Sequence, residues 1–133
     1  MKIDNKLFDE LTAKAKESPR LRHGYDLRNS PEDNSQRMLN ALEPGTILDI
    51  HRHPASATTL IVLRGSIKQN IYNDAGELIE SVILKADPNE LPIYQIPQNT
   101  WHNLECLESG TVIFESKSGK YIPEADAEFF EKK

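Results

Sequence analysis

An all-β sandwich or barrel with one α-helix ahead of it is the fold class this sequence predicts, and three observations predict it. A clear helical period runs only through residues 4–17. From Gln36 onward the texture changes to short stretches of alternating or continuous apolar residues. Turn-forming residues separate those stretches at near-regular intervals, as in β-sandwiches and barrels.

The helix comes first. Ile3, Leu7, Phe8, Leu11 and Ala15 fall on one face, Ile3 can staple onto Phe8, and Asp4 stands where an N-cap is needed. Ser18-Pro19 ends it, because the residue before a proline avoids helical backbone. A single apolar face means that the helix packs on the rest of the chain. Residues 19–36 mix Pro, Gly, Asn, Ser and Asp without a period, so an irregular connection is expected. Its length suits a segment that wraps the body or covers an opening. Eight strands are then expected, over 37–42, 46–52, 58–64, 66–72, 78–84, 94–96, 101–107 and 111–116. Asn73-Asp-Ala-Gly76 is a hairpin turn between two of them. The last segment, Pro123 to Phe130, is expected to form a helical turn or two that returns Phe129 or Phe130 to the sheet.

Composition narrows the function. With 133 residues the chain is long enough for one domain with its own core. A net charge of −5 and no basic stripe argue against a nucleic-acid partner. The longest apolar run, residues 60–63, is far short of a membrane span. The one cysteine, Cys106, excludes an internal disulfide and fits a reducing compartment, so a cytoplasmic location is expected. A core residue is the simplest role for Cys106, with redox chemistry the alternative.

The informative residues are histidines. His51 and His53 are one residue apart at the end of a strand, so their side chains share a face. His102 starts a later strand, after Trp101. Three of the four histidines therefore lie where two strands inside one barrel can meet. Neutral imidazoles suit first-row divalent metals, and three of them leave coordination positions open. His23 has no partner spacing.

The spacing Gly45-x5-His51-x-His53, followed by Gly65, resembles the first signature motif of the cupin superfamily. Pro97-Gln-Asn-Thr-Trp-His102 matches its second motif, with Asn99 at the turn glycine. Asparagine tolerates the left-handed backbone that such a turn needs. Further stretches resemble the WbuC-type cupin-fold metalloproteins: Gln36-Arg-Met-Leu-Asn-Ala-Leu-Glu-Pro-Gly45, His51-Arg-His-Pro54, Val62-Leu-Arg-Gly65, Thr100-Trp-His102 and Gly119-Lys-Tyr-Ile-Pro123. The resemblance implies a single cupin domain over 1–133, a double-stranded β-helix or jelly-roll barrel. Residues 1–35 would be helix and wrapping connection, 36–118 the barrel, and 119–133 a tail. It implies a small bacterial protein linked to surface-polysaccharide genes, and a divalent transition metal (Fe, Zn, Ni or Mn) on His51, His53 and His102.

One departure matters. Many cupins carry a glutamate ligand seven residues before the motif glycine, and Thr58 stands there. A hydroxyl is a weak ligand at neutral pH, so a neutral three-histidine face remains, as in some thiol dioxygenases. Such a face leaves the metal's charge uncompensated and favours an anionic ligand. Asp49 shares the strand face of His51 about 7 Å away. It can hydrogen-bond an imidazole, ligate weakly after a bend, or lie in water at the barrel mouth. Parity from Thr58 carries Leu60, Val62 and Arg64 inward, and parity from His102 carries Leu104 and Cys106. Arg64 then needs an anionic partner, unless a bulge turns it out. Arg64 and Arg37 are the candidates for holding an anionic small molecule. Trp101 should face the layer between sheet and helix, or a partner subunit. The expected function is metal and small-molecule binding by a cupin whose activity the resemblance leaves open, with a metal-dependent enzyme on an anionic sugar derivative linked to surface-polysaccharide metabolism as one form of it. A metal-and-ligand-binding module and a three-histidine iron oxygenase are the alternatives. A homodimer through sheet edges is also expected.

Overall fold

The computed structural model describes residues 1–131, so the last two residues of the expected tail lie outside it. Helix α1 spans Asn5–Glu17. Asp4 caps it by accepting the Leu7 N–H at 3.1 Å, and Lys14 and Lys16 sit in the last turn, where the helix dipole favours cations. Phe8, Leu11 and Ala15 are buried with Leu39, Ala41 and Val112 from the sheet beneath. Leu11 is 2% exposed, so Leu11→Ala should lower unfolding stability by about 3 kcal/mol in a denaturant titration.

The strands are β1 (Arg22–Asp26), β2 (Ser35–Leu42), β3 (His51–Arg52), β4 (Thr58–Arg64), β5 (Ser66–Tyr72), β6 (Leu78–Lys85), β7 (Ile93–Ile96), β8 (Trp101–Cys106), β9 (Thr111–Ser118) and β10 (Glu128–Phe129). They form two antiparallel five-stranded sheets, ordered β1-β2-β9-β4-β7 and β10-β3-β8-β5-β6. Helix α1 covers the outer face of the first sheet. Between the sheets lie Leu42, Leu60, Val62, Ile67, Leu84, Leu104, Cys106 and Ile113. Among the described residues no helix is long and apolar enough to cross a membrane.

Several elements differ from expectation, each for a physical reason. The connection over 19–36 is not wholly irregular: β1 lies in it and pairs with β2 from Arg22↔Leu42 to Asp26↔Met38. As an edge strand it buries little, so its sequence shows no strong alternation. The rest of that connection is organised by Asp33, which accepts the N–H groups of Asn29 and Ser35 at 2.9 Å each and pairs with Arg37. Those donors hold the Asp33 carboxyl down at about 2.

The strand expected over 46–52 shrinks to β3, which has only its His51↔His102 pairing to β8 and its two pairings to β10. The helix packs on the sheet that does not contain Trp101. Trp101 instead lies under the Arg52 guanidinium, 4.2 Å from its ring centre, and edge-on to Phe130 at 5.4 Å. The tail makes one short helix, α2 (Pro123–Asp126), and then β10, whose Phe129 pairs with His51 in the ladder.

Candidate metal centre

Each of the three histidines is placed by its own strand. His51 and His102 face each other across the β3–β8 ladder, and His53 lies one residue beyond β3. The turn before β8 is tied to the same place, because the Asn99 N–H donates to the His53 carbonyl at 2.9 Å. Asn99 has φ +61°, the left-handed backbone expected of it. The ring centres of His51 and His102 are 4.3 Å apart, those of His51 and His53 5.1 Å, and those of His53 and His102 5.5 Å.

The tautomers follow from the hydrogen bonds. His51 Nδ1 is 2.8 Å from the Asp49 carbonyl, His53 Nδ1 2.8 Å from the Asp126 carbonyl, and His102 Nδ1 2.8 Å from the Thr100 carbonyl. A carbonyl only accepts, so each Nδ1 carries the proton and each Nε2 keeps its lone pair. One ligand atom from each ring lies within 4.8 Å of the others. Three anchored imidazoles with free lone pairs are what a divalent transition metal requires, and the orienting hydrogen bond to each is the usual second support of a ligating histidine. Burial lowers the pKa of all three rings, so they stay neutral and competent to ligate at neutral pH.

The other expected site residues sit as follows. Asp49 does contact His51, but through its main-chain carbonyl; its carboxylate is on an exposed residue. Thr58 points inward, is 1% exposed, and its Oγ1 has no hydrogen-bond partner among the described residues. For Arg64 the outward of the two expected positions is the one found, and the expected role in holding an anionic ligand is corrected with it. A bulge between Val62 and Arg64 turns it outward, where it donates to the Gly110 carbonyl at 2.7 Å, to Asp9 at 2.8 Å and to Thr12 at 3.0 Å. It clasps α1 and is not available to a ligand in the barrel. Arg37 spends its guanidinium on the Ser35 carbonyl, the Leu27 carbonyl and Asp33, although it lines a cleft described below. Cys106 is buried, donates to the Leu42 and Glu108 carbonyls, and burial raises its pKa, so its thiol is unreactive packing. His23 pairs with Ala41 at the sheet edge, far from this group in the fold.

Two charged residues were missed from sequence. On β9, Ile113 faces the interior core while Val112 and Phe114 face the helix, so Glu115 and Lys117 follow Ile113 inward. Lys117 is opposite Thr58 in the ladder and is paired with Asp126 at 3.0 Å. Its charge helps to lower the pKa of all three histidines. Glu115 is opposite Leu60 and lines the cavity of about 100 Å³ that also holds His51, His102 and Gln69. Burial pushes the Glu115 carboxyl up from its ordinary range. No signal in the sequence marks them, because the apolar-rich run before them is buried on both faces and hides which face is inner.

Solved structures with this architecture include oxalate decarboxylase from Bacillus subtilis, with a TM-score of 0.62 and 19% identity over 82% of this chain and 27% of that one. Oxalate oxidase in complex with the substrate analogue glycolate gives 0.64 and 15%, over 84% of this chain and 56% of that one. Protein SO0799 from Shewanella oneidensis gives 0.65 and 16%, over 81% and 73%. The chain thus spans about a quarter of the decarboxylase and just over half of the oxidase. At such identities the likeness is one of fold, and the fold is the cupin jelly roll. No curated protein matches the sequence. A family model does match it over residues 3–84, more than half of the chain, and the protein belongs to that family, the domain of unknown function DUF6016.

Proposed function

We propose that this protein is a metal-dependent cupin of the WbuC type, in which His51, His53 and His102 hold one divalent transition metal and a small anionic molecule binds beside it. The observation that carries the reading is the set of three Nδ1–carbonyl hydrogen bonds, which leaves each Nε2 lone pair free on three rings that each bring one ligand atom within 4.8 Å of the others. A metal held there supplies Lewis acidity to a bound oxygen atom or, as iron, oxygen chemistry. The protein's own groups supply the rest. The three rings are neutral and would leave a bound divalent metal its full charge, so the loaded centre would attract an anion. The Lys117–Asp126 pair also fixes the tail, whose Asp126 carbonyl orients His53.

A second reading, reversible metal and ligand binding without turnover, is favoured by one observation. The position of the usual carboxylate ligand holds Thr58, whose hydroxyl leaves coordination weaker. Elemental analysis of the purified protein tests the shared part of both readings. About one metal per chain is expected in the wild type and less than a tenth of that in a folded His51→Ala variant. Equal metal in the two would sink the proposal.

A further inference from the structure

Two hydrogen-bond acceptors in the histidine cavity are left short of donors. Gln69 is 0% exposed; its Nε2 donates to the Asn103 carbonyl at 3.1 Å, while its Oε1 has no partner among the described residues. Glu115, among the described residues, accepts one hydrogen bond, from Asn40 Nδ2 at 3.4 Å, which is long for a carboxylate. Both residues line the cavity with His51 and His102. An acceptor buried without a donor costs about 1–3 kcal/mol, so Gln69 Oε1 points to something absent from the protein alone, and the half-buried Glu115 carboxylate offers spare acceptor capacity beside it.

Space decides what that is. The histidine cavity is about 100 Å³, room for a metal and one small functional group but not for a whole substrate, given ~30 Å³ per water. Glu115 also lines a second, larger cleft of about 320 Å³ with Gln36, Arg37, Lys117 and Tyr121. Its size reaches the lower end of small-molecule sites, ~300 Å³. Glu115 is therefore the wall common to both spaces. The cations of the cleft are already paired: Arg28 with Asp26, Arg37 with Asp33, and Lys117 with Asp126. Further negative charge on the body of a ligand has no free partner there, whereas hydroxyl groups can use these pairs as both donors and acceptors.

We propose that the ligand is a polyhydroxylated acid whose carboxylate reaches the metal and whose hydroxyls donate to Gln69 Oε1 and Glu115. Gln69 and Glu115 are its recognition residues, the first inside the metal cavity and the second at the wall that the cavity shares with the outer cleft. The raised pKa of Glu115 agrees, since a carboxylate short of donors is the group that a ligand hydroxyl would stabilise. The metal contact in this proposal rests on the proposed function above; the two acceptors do not.

The test uses gluconate and hexanoate, acids of equal chain length with and without hydroxyls, titrated calorimetrically into manganese-loaded and metal-free protein. Gluconate is expected to bind at least tenfold more tightly than hexanoate. Hydroxy acids also chelate metals by themselves, so the deciding quantity is how that ratio changes in Gln69→Met and Glu115→Gln. In each folded variant the ratio should fall at least fivefold. Equal binding of the two acids by the wild type, or a ratio unchanged in both variants, overturns the proposal and assigns the acceptors to water. Should the protein take up no metal, the metal reading fails alone: a gluconate preference in metal-free protein that both variants lose would still support Gln69 and Glu115.

Discussion

Replacing His102 by alanine should remove the metal and, in the metal-free protein, flatten the loss of stability in acid. Loss of one of three nitrogen ligands is expected to weaken metal binding at least a hundredfold, measurable by competition with a chromogenic chelator. The acid effect has a separate origin. His102 is 6% exposed, and its pKa is lowered to about 3, first by burial and then by the charge of the neighbouring His51. The folded protein thus holds that proton less readily than the unfolded chain. The stability contributed by the neutral ring is complete above pH 6.5 and is lost as pH falls toward 3. His51 and His53 are lowered in the same direction, again by burial first. Glu115 works in the opposite sense: its raised pKa means that its contribution is present below pH 4.5 and is lost as pH rises through the folded value. At about 1.4 kcal/mol per pKa unit, His102 alone accounts for a few kcal/mol at the acid end. Metal-free wild type should therefore melt well below its neutral value at pH 4, and His102→Ala should show a clearly smaller drop. Identical pH profiles would mean that the ring is hydrated and not buried as described.

How far the site was legible in sequence depends on which face of which strand was readable. β4 and β5 fall where expected because Thr58, Leu60 and Val62 alternate with less buried residues and Gly65 divides the two strands. The three histidines could be grouped because the paired motif carries two of them on one face. Glu115 and Lys117 could not, because residues 111–114 are a continuous apolar-rich run buried on both faces. A strand of that kind has no visible parity, so nothing in it tells which side the following charges take. Arg64 stayed open for the converse reason. Its parity was clear, but a bulge could reverse it, as one extra residue in β4 does, and a bulge leaves no mark in a sequence read two residues at a time. The tail's part in orienting His53 is made by a main-chain carbonyl, which no side-chain pattern announces.

Gly65→Ala should be the most damaging single-methyl change in the chain, lowering unfolding stability by about 4 kcal/mol, and Gly119→Ala shows why. Both glycines have left-handed backbone, φ +80° at Gly65 and φ +89° at Gly119, so alanine pays a similar conformational penalty of about 1–2 kcal/mol at each. They differ in what surrounds the added carbon. At Gly119 it would meet nothing within 4 Å. At Gly65 it would come within 2.9 Å of the Thr111 Cα, a backbone atom that cannot swing aside. Thr111 is 0% exposed and its hydroxyl bonds the Glu108 carbonyl at 2.8 Å, so it is held as firmly as the turn pressing on it. Gly65 is also where the chain leaves one sheet for the other, between β4 and β5, so any shift there displaces strands of both sheets. Those strands carry Thr58 and Gln69 into the interior, and the site should loosen with them. Denaturant titration of the two variants side by side separates backbone cost from overlap: Gly119→Ala near 1 kcal/mol and Gly65→Ala about 3 kcal/mol beyond it. Equal losses would show that the strands can part at this corner, and that metal content should then survive the substitution.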